Sequence, residues 1–141
     1  MSQFKAIDIQ PEGSPLHVIL QPQEIDERGA LRCEVCCTIQ YTSGHFIYEY
    51  RYLSFAHEMV AKFGAQLAAV AAGTTSEARL ADTRGHFTLM LLQEGQQVFV
   101  SLSVFEPLSG DAEARLGFHG RIGDEFVRAL RAQWDEHAGM R

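Results

Sequence analysis

The chain has 141 residues, of which 46% are hydrophobic and 21% charged, a composition that excludes a disordered or fibrous protein. This length predicts one domain, residues 1–141. Twelve Lys and Arg against eighteen Asp and Glu give a net charge of −6. The charge disfavours nucleic acid as a partner and suits a basic protein.

Residues 1–30 are predicted to form strands and a loop, because "FKAIDI" and "PLHVIL" are short apolar stretches separated by the turn-rich "QPEGS". The sequence starts without the basic and apolar regions of a signal peptide. No uncharged apolar run reaches the roughly 18 residues that a membrane helix needs. We therefore expect a cytoplasmic protein with no membrane partner.

All three cysteines lie in "LRCEVCCTIQY", residues 31–41. A metal site, a redox pair and a simple strand are the alternatives. In a strand, Cys33 and Cys37 share an apolar face but lie about 13 Å apart, too far for one metal ion or disulfide. Cys36 lies on the opposite, polar face. The alternation therefore predicts a half-buried strand with reduced thiols.

A second long strand, "HFIYEYRYL", follows the turn "TSG" and completes a hairpin with the cysteine strand. Successive side chains of a strand point to opposite faces, so this strand has two rows of side chains. One row is Phe46, Tyr48, Tyr50 and Tyr52, and the other is Ile47, Glu49, Arg51 and Leu53. Either the aromatic row packs into the core, or the tyrosines form a binding surface while Ile47 and Leu53 face the helices.

Two amphipathic helices are predicted. The first has about eighteen residues, with Ser54 as its N-cap, Gly73 as its stop and apolar residues three or four apart between them. The second closes the chain, where apolar residues recur at intervals of four: Ile122, Phe126, Leu130 and Trp134.

Residues 76–119 are predicted to form a four-stranded meander. A two-residue loop at Glu94–Gly95 would place Leu91 opposite Val98 and sort apolar from polar pairs. Residues 31–137 thus form a strand-helix-meander-helix core. The predicted fold is α+β, a mostly antiparallel β-sheet of about six to eight strands with two α-helices packed on one face.

Motifs of enzyme chemistry are absent from the sequence. "HEMVA" begins like the metalloprotease motif H-E-x-x-H, but Ala61 stands in place of the second histidine. There is no nucleophile elbow, P-loop or dinucleotide-binding glycine motif. We predict no catalytic, cofactor-binding or metal-binding residue, and hence a protein that is not an enzyme.

The candidate partner-binding residues are acidic or aromatic side chains in predicted turns and strands. They are Glu106, Asp111, Glu113, Glu34, Tyr48 and Tyr50. Carboxylates attract a basic partner, and tyrosines supply the rigid amphipathic area that interfaces favour.

The layout of "SFAHEMVAKFGAQLAAVAAG", "ARLADTRGHFTLMLL", "VFVSLSVFEPLSGDAEARLGF" and "FVRALRAQW" resembles the WapI-like immunity proteins of bacterial contact-dependent and Rhs-type toxin systems. The resemblance covers roughly residues 31–137, although Trp134 is the only tryptophan where the family has several. It implies a cytoplasmic protein, free of cofactors, that binds and neutralises a cognate toxin domain. The alternatives are a chaperone-like accessory protein of a secretion system and a small-molecule-binding α+β protein.

Overall fold

The computed structural model describes residues 4–138, so residues 1–3 and 139–141 of the predicted domain lie outside the described range. The elements in chain order are β1 (Ile7–Ile9), β2 (Leu16–Ile25), β3 (Leu31–Tyr41), β4 (Gly44–Phe55), α1 (His57–Ala71), β5 (Glu77–Ala81), β6 (Phe87–Glu94), β7 (Gln97–Pro107), β8 (Glu113–Ile122) and α2 (Asp124–Ala138).

The strands form two antiparallel sheets of four strands each, ordered β1-β2-β3-β4 and β5-β6-β7-β8. The α+β class is confirmed, whereas the single sheet of six to eight strands with helices on one face is wrong in detail. Alternation along a strand identifies its buried face but not its neighbours. The division into two sheets therefore depends on tertiary packing.

The two helices pack against each other, and each contacts the first strand of the other half of the chain. Gln66 of α1 accepts a hydrogen bond of 2.9 Å from the backbone N–H of Arg79 in β5. Gln133 of α2 accepts one of 2.9 Å from the N–H of Asp8 in β1 and donates another of 2.9 Å to its carbonyl. Each half thus has four strands and a helix, and each helix is attached to the other half.

The two sheets share one hydrophobic core, which also contains the buried faces of both helices. Phe55 at the end of β4 meets Phe87 at the start of β6 edge-on, with ring centroids 6.1 Å apart. Beside this pair, the backbone N–H of Thr83 donates a hydrogen bond of 2.9 Å to the carbonyl of Ser54. Side-chain packing and a backbone hydrogen bond therefore connect the first sheet to the second.

The start predicted for the first helix is wrong. Ser54 lies inside β4, and Ala56 occupies the N-cap position without a side-chain hydrogen bond. The stop at Gly73 is confirmed, because its φ of 75° allows its N–H to bond the carbonyl of Val70. Ile122 belongs to β8 rather than to the second helix, which begins at Asp124.

The β6–β7 hairpin is confirmed, but its predicted loop is two residues out of register. Leu91 pairs with Val100, and Glu94 pairs with Gln97, so the loop is Gly95–Gln96. Gly95 has a φ of 64° and Gln96 has no positive φ, as a type II′ turn requires. A shift of two residues keeps every side chain on its face, so alternation alone does not distinguish the two registers.

The cysteine strand is confirmed as β3, with Cys33 and Cys37 buried and Cys36 half-buried. Burial raises the pKa of the Cys33 and Cys37 thiols from 9.0 to about 12. Since a thiolate is the reactive form, two of the three thiols are protected both by burial and by protonation.

We expect iodoacetamide at pH 8 to modify Cys36 in the folded protein and to leave Cys33 and Cys37 intact. A thiol of pKa about 12 is only about 0.01% thiolate at this pH, and raising the pH increases that fraction. Tandem mass spectrometry locates the modified cysteine, and the same reaction in urea serves as the control. Equal labelling of all three in the folded state would contradict the assignment of β3 to the core.

Candidate functional site

Side chains of β4 contact the second sheet just before the start of β6 and near the end of β7. The ring of Tyr50 lies 5.3 Å from that of His86, just before β6. Two residues earlier in β4, Tyr48 Oη lies 3.5 Å from Oε2 of Glu106 near the end of β7. The preceding part of β4 extends beyond the shared core, and this arrangement leaves a groove between the two sheets.

The groove has a volume of about 480 Å³ and is lined by residues 46–50 of β4, 104–106 of β7 and 114–116 of β8. Its walls are mainly aromatic and aliphatic. Phe46 and Ile47 at its rim are 49% and 51% exposed, so the groove is open to solvent. An apolar concavity with a few polar groups is the usual form of a binding site.

A β-bulge in the β3–β4 pair determines which aromatic residues face the groove. Tyr48 pairs with Cys37 and Tyr50 with Val35, but the next pair is Leu53 with Cys33, so β4 has one extra residue there. Tyr48 and Tyr50 pack partly against the core. Tyr52 is instead 73% exposed and Leu53 is buried, so the aromatic row predicted from Phe46 to Tyr52 ends at Tyr50.

Two acidic residues line the groove, Glu49 and Glu106, and the side chain of Glu106 is 35% exposed. Burial raises the pKa of the Tyr48 phenol above its ordinary value, and the carboxylate of Glu106 raises it further. The phenol therefore stays protonated and donates to Glu106 across 3.5 Å. His86 Nδ1 lies 3.6 Å from the same oxygen, too far for a hydrogen bond.

Arg115 supplies the positive charge of the groove wall, but other groups already engage it. Its Nε contacts Oε2 of Glu113 directly. Its guanidinium carbon lies 4.7 Å from the centre of the Phe105 ring. Within residues 4–138, no arginine or lysine forms an ion pair with Glu106, and the basic side chain beside it is the imidazole of His86. The Glu106 carboxylate is thus partly desolvated and weakly paired.

A tight turn places His86 in this site. Asp82 is 6% exposed, and its carboxylate accepts hydrogen bonds from the N–H groups of Phe87 at 2.9 Å and Arg84 at 3.3 Å. The carbonyl of His86 accepts one of 2.9 Å from the N–H of Phe105. His86 was not among the binding residues predicted from the sequence. An aspartate that starts a turn before a strand was the available signal.

The structure brings together some of the sequence-predicted binding residues and separates others. Tyr48, Tyr50 and Glu106 meet in the groove, and Glu113 joins them through Arg115. Asp111 lies in the β7–β8 loop with a φ of 64°, exposed and outside the groove lining. Glu34 lies on the outer face of the first sheet, where it pairs with Gln21 of β2. The candidate site therefore contains residues from both halves of the chain.

Residues 4–138 contain neither a cluster of potential metal ligands nor a helix that could cross a membrane. No three His, Cys, Asp or Glu side chains in this range lie close enough to hold a metal ion. None of its helices is both long and apolar enough to cross a bilayer. No family model, curated protein or solved structure matches this chain.

Proposed function

We propose that this protein is a cytoplasmic immunity protein that binds and neutralises a cognate secreted toxin domain. The observation that carries the proposal is the groove, which combines an aromatic wall with a weakly paired carboxylate. Aromatic side chains at concave sites supply much of the binding energy of protein interfaces. A chain of net charge −6 also accelerates association with a basic partner.

The test is co-elution of the purified protein with the toxin domain encoded beside it, together with an assay of toxin activity. We expect a stable complex in which the toxin is inactive at an equimolar ratio. A toxin that remains fully active with excess free protein would refute the proposal. Co-elution with an active toxin would instead support the accessory chaperone.

A second candidate function is small-molecule binding, which the groove volume of about 480 Å³ favours because it lies within the range of ligand pockets. An aromatic cation such as phenethylammonium matches the lining chemistry. Saturable binding that is lost in Tyr48→Ala would support this function. Titration without chemical-shift changes at the groove would remove it.

A further inference from the structure

The free edge of β4 lies beside the groove. Within the described residues, β4 pairs with β3 alone and forms the edge of its sheet. Near the end of β4, the carbonyl of Ser54 is already bonded to Thr83. From Gly44 to Glu49, by contrast, no backbone group of β4 makes a hydrogen bond outside its own sheet within residues 4–138. An uncovered strand edge is a template for pairing with another extended chain.

The hairpin register identifies the backbone groups that point outward. Tyr41 and Gly44 close a two-residue turn and therefore exchange hydrogen bonds with each other. Bonded and non-bonded pairs alternate from there, so the N–H and C=O groups of His45, Ile47 and Glu49 point away from β3. These outward groups can bond about three residues of an added strand.

The chemistry of the groove determines which side chains an added strand would carry. Phe46 and Tyr48 offer apolar contacts, while the contacts of the Glu106 carboxylate with Tyr48 and His86 are long, at 3.5 and 3.6 Å. Arg115 is held by Glu113 and Phe105. A lysine or arginine from the partner would thus form a shorter, charge-assisted bond to Glu106.

We propose that the groove binds an extended segment of the partner protein, which pairs with β4 at Ile47 and Glu49 and places one lysine or arginine on Glu106 between apolar neighbours. This inference rests on the proposed function, because it specifies the part of the partner that is recognised. Main-chain bonds provide affinity, and the Glu106 contact selects for a basic side chain.

A synthetic peptide, Thr-Val-Thr-Lys-Thr-Val-Thr, is the probe, because its alternation places Lys between two Val on one face. We expect saturable shifts of the Ile47 and Glu49 amide signals in NMR titrations. Glu106→Gln should weaken binding about tenfold, the loss typical of one partly exposed charged contact. The matched control is Glu94→Gln. Glu94 is the last residue of β6, at the end of the strand away from His86, so this substitution should leave the affinity unchanged.

Two results would overturn the inference: no peptide-induced shifts in β4, or equal binding of a peptide with Glu in place of Lys. The toxin complex provides a separate readout, in which amide exchange at Ile47 and Glu49 should slow at least tenfold. Toxin inhibition without that protection refutes the inference and leaves the proposed function intact. Peptide binding with an uninhibited toxin supports the surface and refutes the immunity function.

Discussion

Replacing Phe55 by alanine is expected to lower the free energy of unfolding by about 3–5 kcal/mol, the usual range for removing a core phenylalanine. Phe55 and Phe87 are fully buried and belong to different sheets. The substitution removes the edge-on ring contact between them and leaves a cavity where the sheets meet. Urea unfolding, followed by the fluorescence of buried Trp134, measures the change.

Phe46→Ala is the matched control for this prediction. It removes the same side chain from the same strand, but Phe46 is 49% exposed, so we expect a loss below about 1 kcal/mol. A double-mutant cycle with Phe87→Ala should give a coupling energy of about 0.5–1.5 kcal/mol for the aromatic pair. If Phe46→Ala and Phe55→Ala lowered the free energy of unfolding equally, the packing of the two sheets would not depend on the contact between Phe55 and Phe87.

Charge reversal near the groove, with Glu106, Asp111 and Glu113 all changed to lysine, is expected to slow association with the toxin domain by ten- to a hundredfold at low salt. Three reversals change the net charge from −6 to 0, since each adds two units. Glu113→Lys also breaks the ion pair with Arg115, so the positive charge of Arg115 is no longer balanced at the groove. Stopped-flow measurements at increasing salt provide the test, because salt screens steering.

The matched control reverses three exposed carboxylates outside the groove, Glu12, Glu94 and Glu136, and reaches the same net charge of 0 from −6. Its association rate should change less than about threefold, if local rather than total charge guides the encounter. Equal slowing in both variants would mean that net charge alone matters. An unchanged rate in the first variant would place the interface elsewhere.

The candidate site was only partly predictable from the sequence. Tyr48 and Glu106 were identified by residue type, but 58 positions separate them in the chain, and only the tertiary contact between β4 and the second sheet brings them together. His86 was missed because its role depends on the turn that Asp82 holds. Glu34 was predicted as a binding residue, yet it lies on the outer face of the first sheet and outside the groove lining.

The likeness between the two halves of the fold could not be predicted from the sequence either. Each half contains four strands and a helix, although the sequences of the halves show no repeat. The matching glutamine contacts, Gln66 to β5 and Gln133 to β1, appear only in three dimensions. Two halves with the same order of elements need apolar residues at similar positions, but many different apolar residues can fill those positions. The halves can therefore share a layout without sharing a sequence.

The spacing of apolar residues in the sequence was enough to predict that residues 31–41 form a strand, that Cys33 and Cys37 are buried and that the chain has two helices. The reason is that side-chain direction follows directly from backbone geometry. Tertiary structure alone decided the division into two sheets, the register of the Gly95 hairpin and the bulge that separates Tyr50 from Leu53. Alternation is the same for every partner strand and for every register of matching parity, so it identifies the buried face of a strand but not its neighbour, its exact register or a bulge.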